Sequence, residues 1–122
     1  MDSFINWFEI PAEDFKRAVG FYSAVLSATI EETEFFGSQM GFLPSDGTNV
    51  SGAIVAGEDY QPSTAGTLIY LNGGRDLQST LDRVEPNGGK VVVPKTRISE
   101  EMGYFAIFID SEGNKMALHS IG

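Results

Sequence analysis

The sequence predicts an α+β fold in which the order strand–helix–strand–strand–strand occurs twice. Three observations carry this. Short runs of aromatic and β-branched residues alternate with turn clusters along the whole chain. Only two stretches space their apolar residues as a helix does. The two helical stretches open on the same signal, Asp14-Phe15 and Asp76-Leu77, and each is followed by three strand signals. Asn49-Val50-Ser51-Gly52-Ala53 and Asn114-Lys115-Met116-Ala117-Leu118 then align at nearly the same offset, which points to duplication of one module.

Phe4 to Ile10 is rich in aromatic and β-branched residues and is stopped by Pro11, so it reads as a strand. Alternation places Phe8 and Ile10 on one face and Trp7 and Glu9 on the other. Pro11-Ala12-Glu13-Asp14 resembles a helix start, and Phe15, Ala18, Val19, Tyr22, Val25 and Leu26 follow at helical spacing, predicting a helix from about Ala12 to Ser27. Strands are expected at Thr29–Glu34, Ser38–Leu43 and Asn49–Ala56, with Pro44-Ser45-Asp46-Gly47 as a turn. In the second half, Thr67–Asn72 reads as a strand, and Leu77, Leu81 and Val84 mark a helix ending before Pro86. Lys90–Val93 is a strand interrupted by Pro94, and Tyr104–Ile109 and Lys115–Ser120 flank the turn Asp110-Ser111-Glu112-Gly113-Asn114. The expected organisation is one domain, with module one over 1–57, a polar linker over 58–65 and module two over 66–122.

The chain has 122 residues, 17 acidic against 8 basic, for a formal net charge of −9. Phosphates and anionic membranes would be repelled, so nucleic acid and membrane are not expected partners. With no Cys and one His, a disulfide framework, a zinc finger, a thiol nucleophile and a multi-histidine cage within one chain are all excluded. There is no basic-then-apolar leader and no apolar run of spanning length, so the expectation is a cytoplasmic protein. Adjacent His119 and Ser120 point to opposite faces of a strand and make no nucleophile–base pair. Gly73-Gly74 and Gly88-Gly89 lack the spacing and the Lys of a phosphate loop.

Several runs together resemble the vicinal oxygen chelate superfamily, the glyoxalase/bleomycin-resistance/dioxygenase group. They are Trp7-Phe8-Glu9-Ile10-Pro11, Asp14-Phe15-Lys16-Arg17-Ala18 and Phe21-Tyr22, then Tyr70-Leu71-Asn72, Asp76-Leu77, Arg83-Val84-Glu85, Asn87-Gly88-Gly89-Lys90 and Asp110-Ser111-Glu112-Gly113-Asn114. The resemblance implies two βαβββ modules forming an incomplete barrel around a central cavity. It also implies pairing of modules within a chain or across a homodimer. Metal enzymes of the group place one ligand on the first and last strand of each module. Those positions fall here on Trp7, Gly52, Leu68 and Ala117, none of which supplies a hard oxygen or an imidazole, so no metal cofactor is expected.

By alternation Trp7, Met40, Phe42, Tyr70 and Phe108 are expected on the cavity side, with Asn72 fixing the orientation of a small-molecule ligand. Glu9 shares the face of Trp7, and His119 that of Ala117, so a carboxylate–imidazole pair for proton transfer is a candidate catalytic set. Three functions stay open on the sequence. One is metal-independent binding of a small organic molecule in an aromatic-lined cavity. The second is a lyase, isomerase or dioxygenase-like enzyme using Glu9 and His119 with an atypical or external metal. The third is a non-catalytic interaction module whose cavity is filled.

Overall fold

The computed structural model describes residues 3–122. Strand β1 (Trp7–Pro11) leads into helix α1 (Phe15–Val25), followed by β2 (Glu31–Phe35), β3 (Ser38–Phe42) and β4 (Ser51–Ala56). The second half repeats this with β5 (Tyr70–Asn72), α2 (Leu77–Leu81), β6 (Lys90–Ser99), β7 (Gly103–Ile109) and β8 (Lys115–Ser120). The expected βαβββ order is therefore present twice. A one-turn 3-10 helix, Glu85–Asn87, follows α2 and ends on Gly88, whose φ of 103° needs glycine.

Each half builds one four-stranded mixed sheet, ordered β1-β4-β3-β2 in the first and β5-β8-β7-β6 in the second. In both, the strand before the helix runs parallel to the last strand, and the remaining neighbours are antiparallel. The helices start on aspartate caps, as their opening signals implied. Asp14 accepts from the Arg17 N–H at 3.1 Å, and Asp76 accepts from the Gln78 N–H at 2.9 Å. Because Asp14 is the cap, α1 begins at Phe15 rather than Ala12; it stops at Val25, before Ser27 turns to a φ of 50°.

One sequence reading is corrected in β6. Pro94 does not interrupt it: the strand runs from Lys90 to Ser99. Proline is tolerated because β6 is the outer strand of its sheet and the register slips between Val93 and Thr96, so the missing N–H breaks no ladder bond.

Both halves contribute to one apolar core. Phe15, Val19 and Phe21 of α1 pack with Ile10 and Ile54 of the first sheet and with Leu71, Phe108 and Leu118 of the second. Each sheet thus turns one face to the helices and leaves the other open. Phe108, expected on the cavity side, is 0% exposed and lies 6.2 Å from the Phe21 ring, ring centre to ring centre. It is paired with Met116, so this row of the second sheet faces the helices, and Ile107 and Ile109 take the open face. Gly52 is likewise on the helix side, opposite Phe8. A Cβ there would stand 2.4 Å from the Phe8 carbonyl oxygen, so the strands come this close only with glycine at this position.

Candidate functional site

The open face of the first sheet is laid out in rows by its register. Glu9, Ala53, Phe42 and Glu31 form one row across β1, β4, β3 and β2, and Trp7 and Ser51 stand beside it. The small Ala53 floors the row. The Trp7 and Phe42 rings meet above it at 6.1 Å with a 56° tilt, and Met40 stands one row further along, opposite Val55. The second sheet has matching rows: Tyr70, Ala117 and Ile107, then Asn72, His119 and Phe105.

The outer strands β1 and β5 flank a cleft of about 730 Å³. Trp7 and Phe8 line one wall, Tyr70, Leu71 and Asn72 another, and Leu26, Leu43 and Val50 help close it. The volume lies in the ordinary range for small-molecule sites, and no charged side chain lines it. Its polar groups are few. Asn72 already accepts from the Gly74 N–H at 2.9 Å, and the Ser51 hydroxyl donates to the carbonyls of Leu43 and Pro44 at 3.2 and 3.1 Å. Backbone groups add to these. The Ile69 carbonyl and Gly73 N–H bond to β8, so the peptide groups of Tyr70 between them point away from it. Trp7, although backed by Phe42, and Tyr70 remain 45% and 52% exposed and present large apolar surfaces to solvent.

Glu9 and His119 are not brought together. Glu9 lines a separate crevice of about 190 Å³ with Gln61 and Lys115, and its Oε1 accepts from the Tyr60 hydroxyl at 2.9 Å. That hydrogen bond, and the carboxylate charge behind it, hold the Tyr60 phenol above its ordinary pKa. Tyr60 was not singled out in the sequence because it lies in the connector, where no periodicity marks it. His119 lines a hollow of about 560 Å³ with Tyr70, Asn72, Ile98 and Met102. Its Nε2–H donates to the Met102 carbonyl at 2.6 Å, a tautomer fixed by an acceptor that has no proton to give. Of the anticipated residues, Trp7, Tyr70 and Asn72 share the large cleft, Phe42 backs Trp7, Met40 stands on the same open face, and Phe108 is in the core.

The residues at the ligand positions do not fit a metal. Trp7 and Ala117 carry no donor, Leu68 on the approach to β5 carries none, and Gly52 presents no side chain. The open-face neighbours of Gly52 are Ala53 and Ser51, the latter with its hydroxyl engaged. Among the described residues no three His, Asp or Glu side chains are grouped to hold an ion.

The profile of the Glyoxalase/Bleomycin resistance protein/Dioxygenase superfamily matches residues 4–118. The chain belongs to this superfamily. A Glyoxylase-like domain-containing protein of Didymella fabae is 31% identical over 122 residues, spanning 93% of this chain and 91% of that protein. Among solved structures, TnmS3, an antibiotic binding protein from Streptomyces sp. CB03234, superposes with a TM-score of 0.72 at 21% identity, covering 97% of this chain and 95% of that one. Glyoxalase I from Zea mays superposes at 0.70 with 13% identity; this chain spans 94% of its own length but 45% of the maize chain. At these identities the structural likeness establishes the shared fold. Among the described residues no helix is long and apolar enough to cross a membrane.

Proposed function

We propose that this chain binds a neutral, largely aromatic small molecule in the cleft between β1 and β5, as a cytoplasmic homodimer. The observation that carries the reading is the cleft itself: about 730 Å³, walled by Trp7 and Tyr70, and free of charged side chains. Two exposed rings on facing walls suit a flat ligand that stacks, while Asn72 and the outward backbone of Tyr70 suit one or two polar substituents. The likeness to an antibiotic binding protein supports a ligand of this class. Recognition rests on rings and backbone rather than on a metal, because the side chains at the superfamily's ligand positions lack donor atoms. The homodimer is supported by the open faces, where Trp7 and Tyr70 leave apolar surface that a second chain would cover.

Trp7 is the only tryptophan, so its emission reports the cleft directly. Titration with a panel of neutral polycyclic aromatics, antibiotics of that kind included, is expected to shift or quench it saturably. Tyr70→Ala is expected to weaken binding roughly tenfold by removing one stacking wall. A panel without a single saturable response, or a Tyr70→Ala protein that binds as well as the parent, would overturn the reading.

A further inference from the structure

Asn72 and His119 stand side by side on the open face of the second sheet, partners in the parallel pairing of β5 with β8. Each has one polar atom tied down and one left over. Asn72 Oδ1 accepts from the Gly74 N–H at 2.9 Å, which fixes the amide and turns its Nδ2 the other way. His119 Nε2–H donates to the Met102 carbonyl at 2.6 Å, so in the neutral ring Nδ1 is an acceptor. Met102 is itself held, its N–H donating to the Ser99 hydroxyl at 2.9 Å. Gly103, with a φ of 82°, lies so close to β8 that a Cβ there would collide with the Ser120 carbonyl oxygen. The imidazole is therefore presented by a tightly packed turn. Among the described residues neither Asn72 Nδ2 nor His119 Nδ1 takes a partner. Asn72 is exposed, and the half-buried His119 has no buried atom left unpaired, so both atoms are accessible beside the hollow of about 560 Å³ that the two residues line.

We infer that the ligand of the cleft carries a cyclic amide, whose carbonyl accepts from Asn72 Nδ2 and whose N–H donates to His119 Nδ1 in this hollow. The inference rests on the cleft reading above and names the ligand's polar edge. Tyr70, Leu71 and Asn72 line both the cleft and the hollow, so an aromatic body stacked on Tyr70 reaches over β5 with its edge. Neighbouring strands stand about 4.8 Å apart, so a donor on one and an acceptor on the next converge on a single small group of the opposite pattern. In a cyclic amide the C=O and N–H point the same way, side by side. A hydroxyl beside a carbonyl on an aromatic ring fits less well, because its proton is engaged by its own carbonyl. A carboxylate does not fit. It has no donor for Nδ1, the turn bordering the hollow carries Glu100 and Glu101, and no Lys or Arg lines the hollow. Tyr70, Ile98 and Met102 complete the lining with apolar surface, all of it substantially exposed in the free chain. A ligand that covers them shields the two hydrogen bonds from water.

The probes are phenanthridinone and isoquinolone, each beside its N-methyl form, with Trp7 emission as the readout. The parent is expected to bind each amide roughly tenfold more tightly than its N-methyl form, since methylation removes the donor and leaves Nδ1 unpaired. In His119→Leu that preference is expected to vanish. Asn72→Asp keeps the acceptor for the Gly74 N–H and loses the donor, and is expected to weaken binding of the amides roughly tenfold. His119 is the only histidine, so its Nδ1 resonance in nitrogen NMR is identified without a variant. That resonance is expected to move when the parent binds an amide and to stay in place with the N-methyl form. A parent that binds both forms equally, a preference that persists in His119→Leu, an Asn72→Asp chain that binds the amides as the parent does, or an Nδ1 resonance that a bound amide leaves in place overturns the inference and leaves the cleft reading standing. Silence of Trp7 toward every neutral aromatic of the panel, the amides included, overturns both.

Discussion

The two modules close on related turns whose local chemistry is nearly the same and whose surroundings are opposite. In the first, Asp46 Oδ1 accepts from the backbone N–H of Thr48 and of Asn49, each at 2.8 Å, and its Oδ2 accepts from the Asn49 amide at 2.8 Å. In the second, Asp110 Oδ1 accepts from the N–H of Glu112 and Asn114 at 2.8 and 2.9 Å, and its Oδ2 accepts from the Asn114 amide at 3.0 Å. The first turn lies in solvent and holds only itself. The second is buried and reaches into the other module: the Tyr22 hydroxyl donates to Asp110 at 2.5 Å, and the Asn114 amide donates to the Pro11 carbonyl at 2.7 Å. Glu112 accepts from the N–H groups of Glu13 and Asp14 and from Arg17. That carboxylate satisfies donors at the start of α1 which the helix itself leaves free. The two turns share one hydrogen-bonding pattern, and tertiary position decided which of them became the clasp between the modules.

The largest expected effect follows from the clasp. Asp110→Ala strands the buried Tyr22 hydroxyl and the backbone N–H groups of Glu112 and Asn114, and is expected to cost about 3–5 kcal/mol in urea unfolding. A loss below about 1 kcal/mol would show that the modules hold together without it. Glu112→Ala is expected to cost about 2–3 kcal/mol by freeing the helix-start donors. Burial pushes the Glu112 carboxyl up, but the hydrogen bonds from Arg17, the Asp14 N–H and Ser111 outweigh it, and the net pKa is lowered. The parent should therefore carry this stabilisation in full above the unfolded carboxylate value of about 4.3, and lose it as pH falls through the lower folded value. Glu112→Gln should flatten that part of the acid limb, and an unchanged acid limb would refute the assignment.

Tyr22→Phe is a smaller probe, expected to cost about 1 kcal/mol because the ring stays packed. Burial and then the Asp110 charge hold the Tyr22 phenol well above its ordinary value. Its stabilisation is present below about pH 10 and is lost as pH rises through the folded value, so the parent should weaken more steeply in alkali than Tyr22→Phe. Ultraviolet titration should show one of the four tyrosines resisting ionisation until unfolding. The smallest effect belongs to the solvent turn. Backbone hydrogen bonds from Asn49 and Thr48 lower the Asp46 pKa, yet Asp46→Ala should move the melting temperature by no more than about 2 °C. A shift comparable to that of Asp110→Ala would erase the contrast between the turns.

Much of the fold was legible in the sequence. The helix caps Asp14 and Asp76, the turn at Asp110 and the repeated order of elements are written in local residue chemistry, which acts over a few positions. The placement of Trp7 and Tyr70 followed from strand alternation, and the cleft brings them together. Alternation misled at Phe108, where the parity of the strand is set by which face meets α1. Pro94 misled because local chemistry forbids proline in a paired strand and says nothing about whether the strand is an edge.

The pairing expected of Glu9 with His119 shows the same limit. Each lies on the open face of its own sheet, but each found a nearer partner, Tyr60 and the Met102 carbonyl. The sequence by itself determined the elements and the superfamily, since both depend on residue type at a given place. Tertiary structure alone decided which groups share a cleft, because that depends on how the two sheets settle around the helices of one shared core.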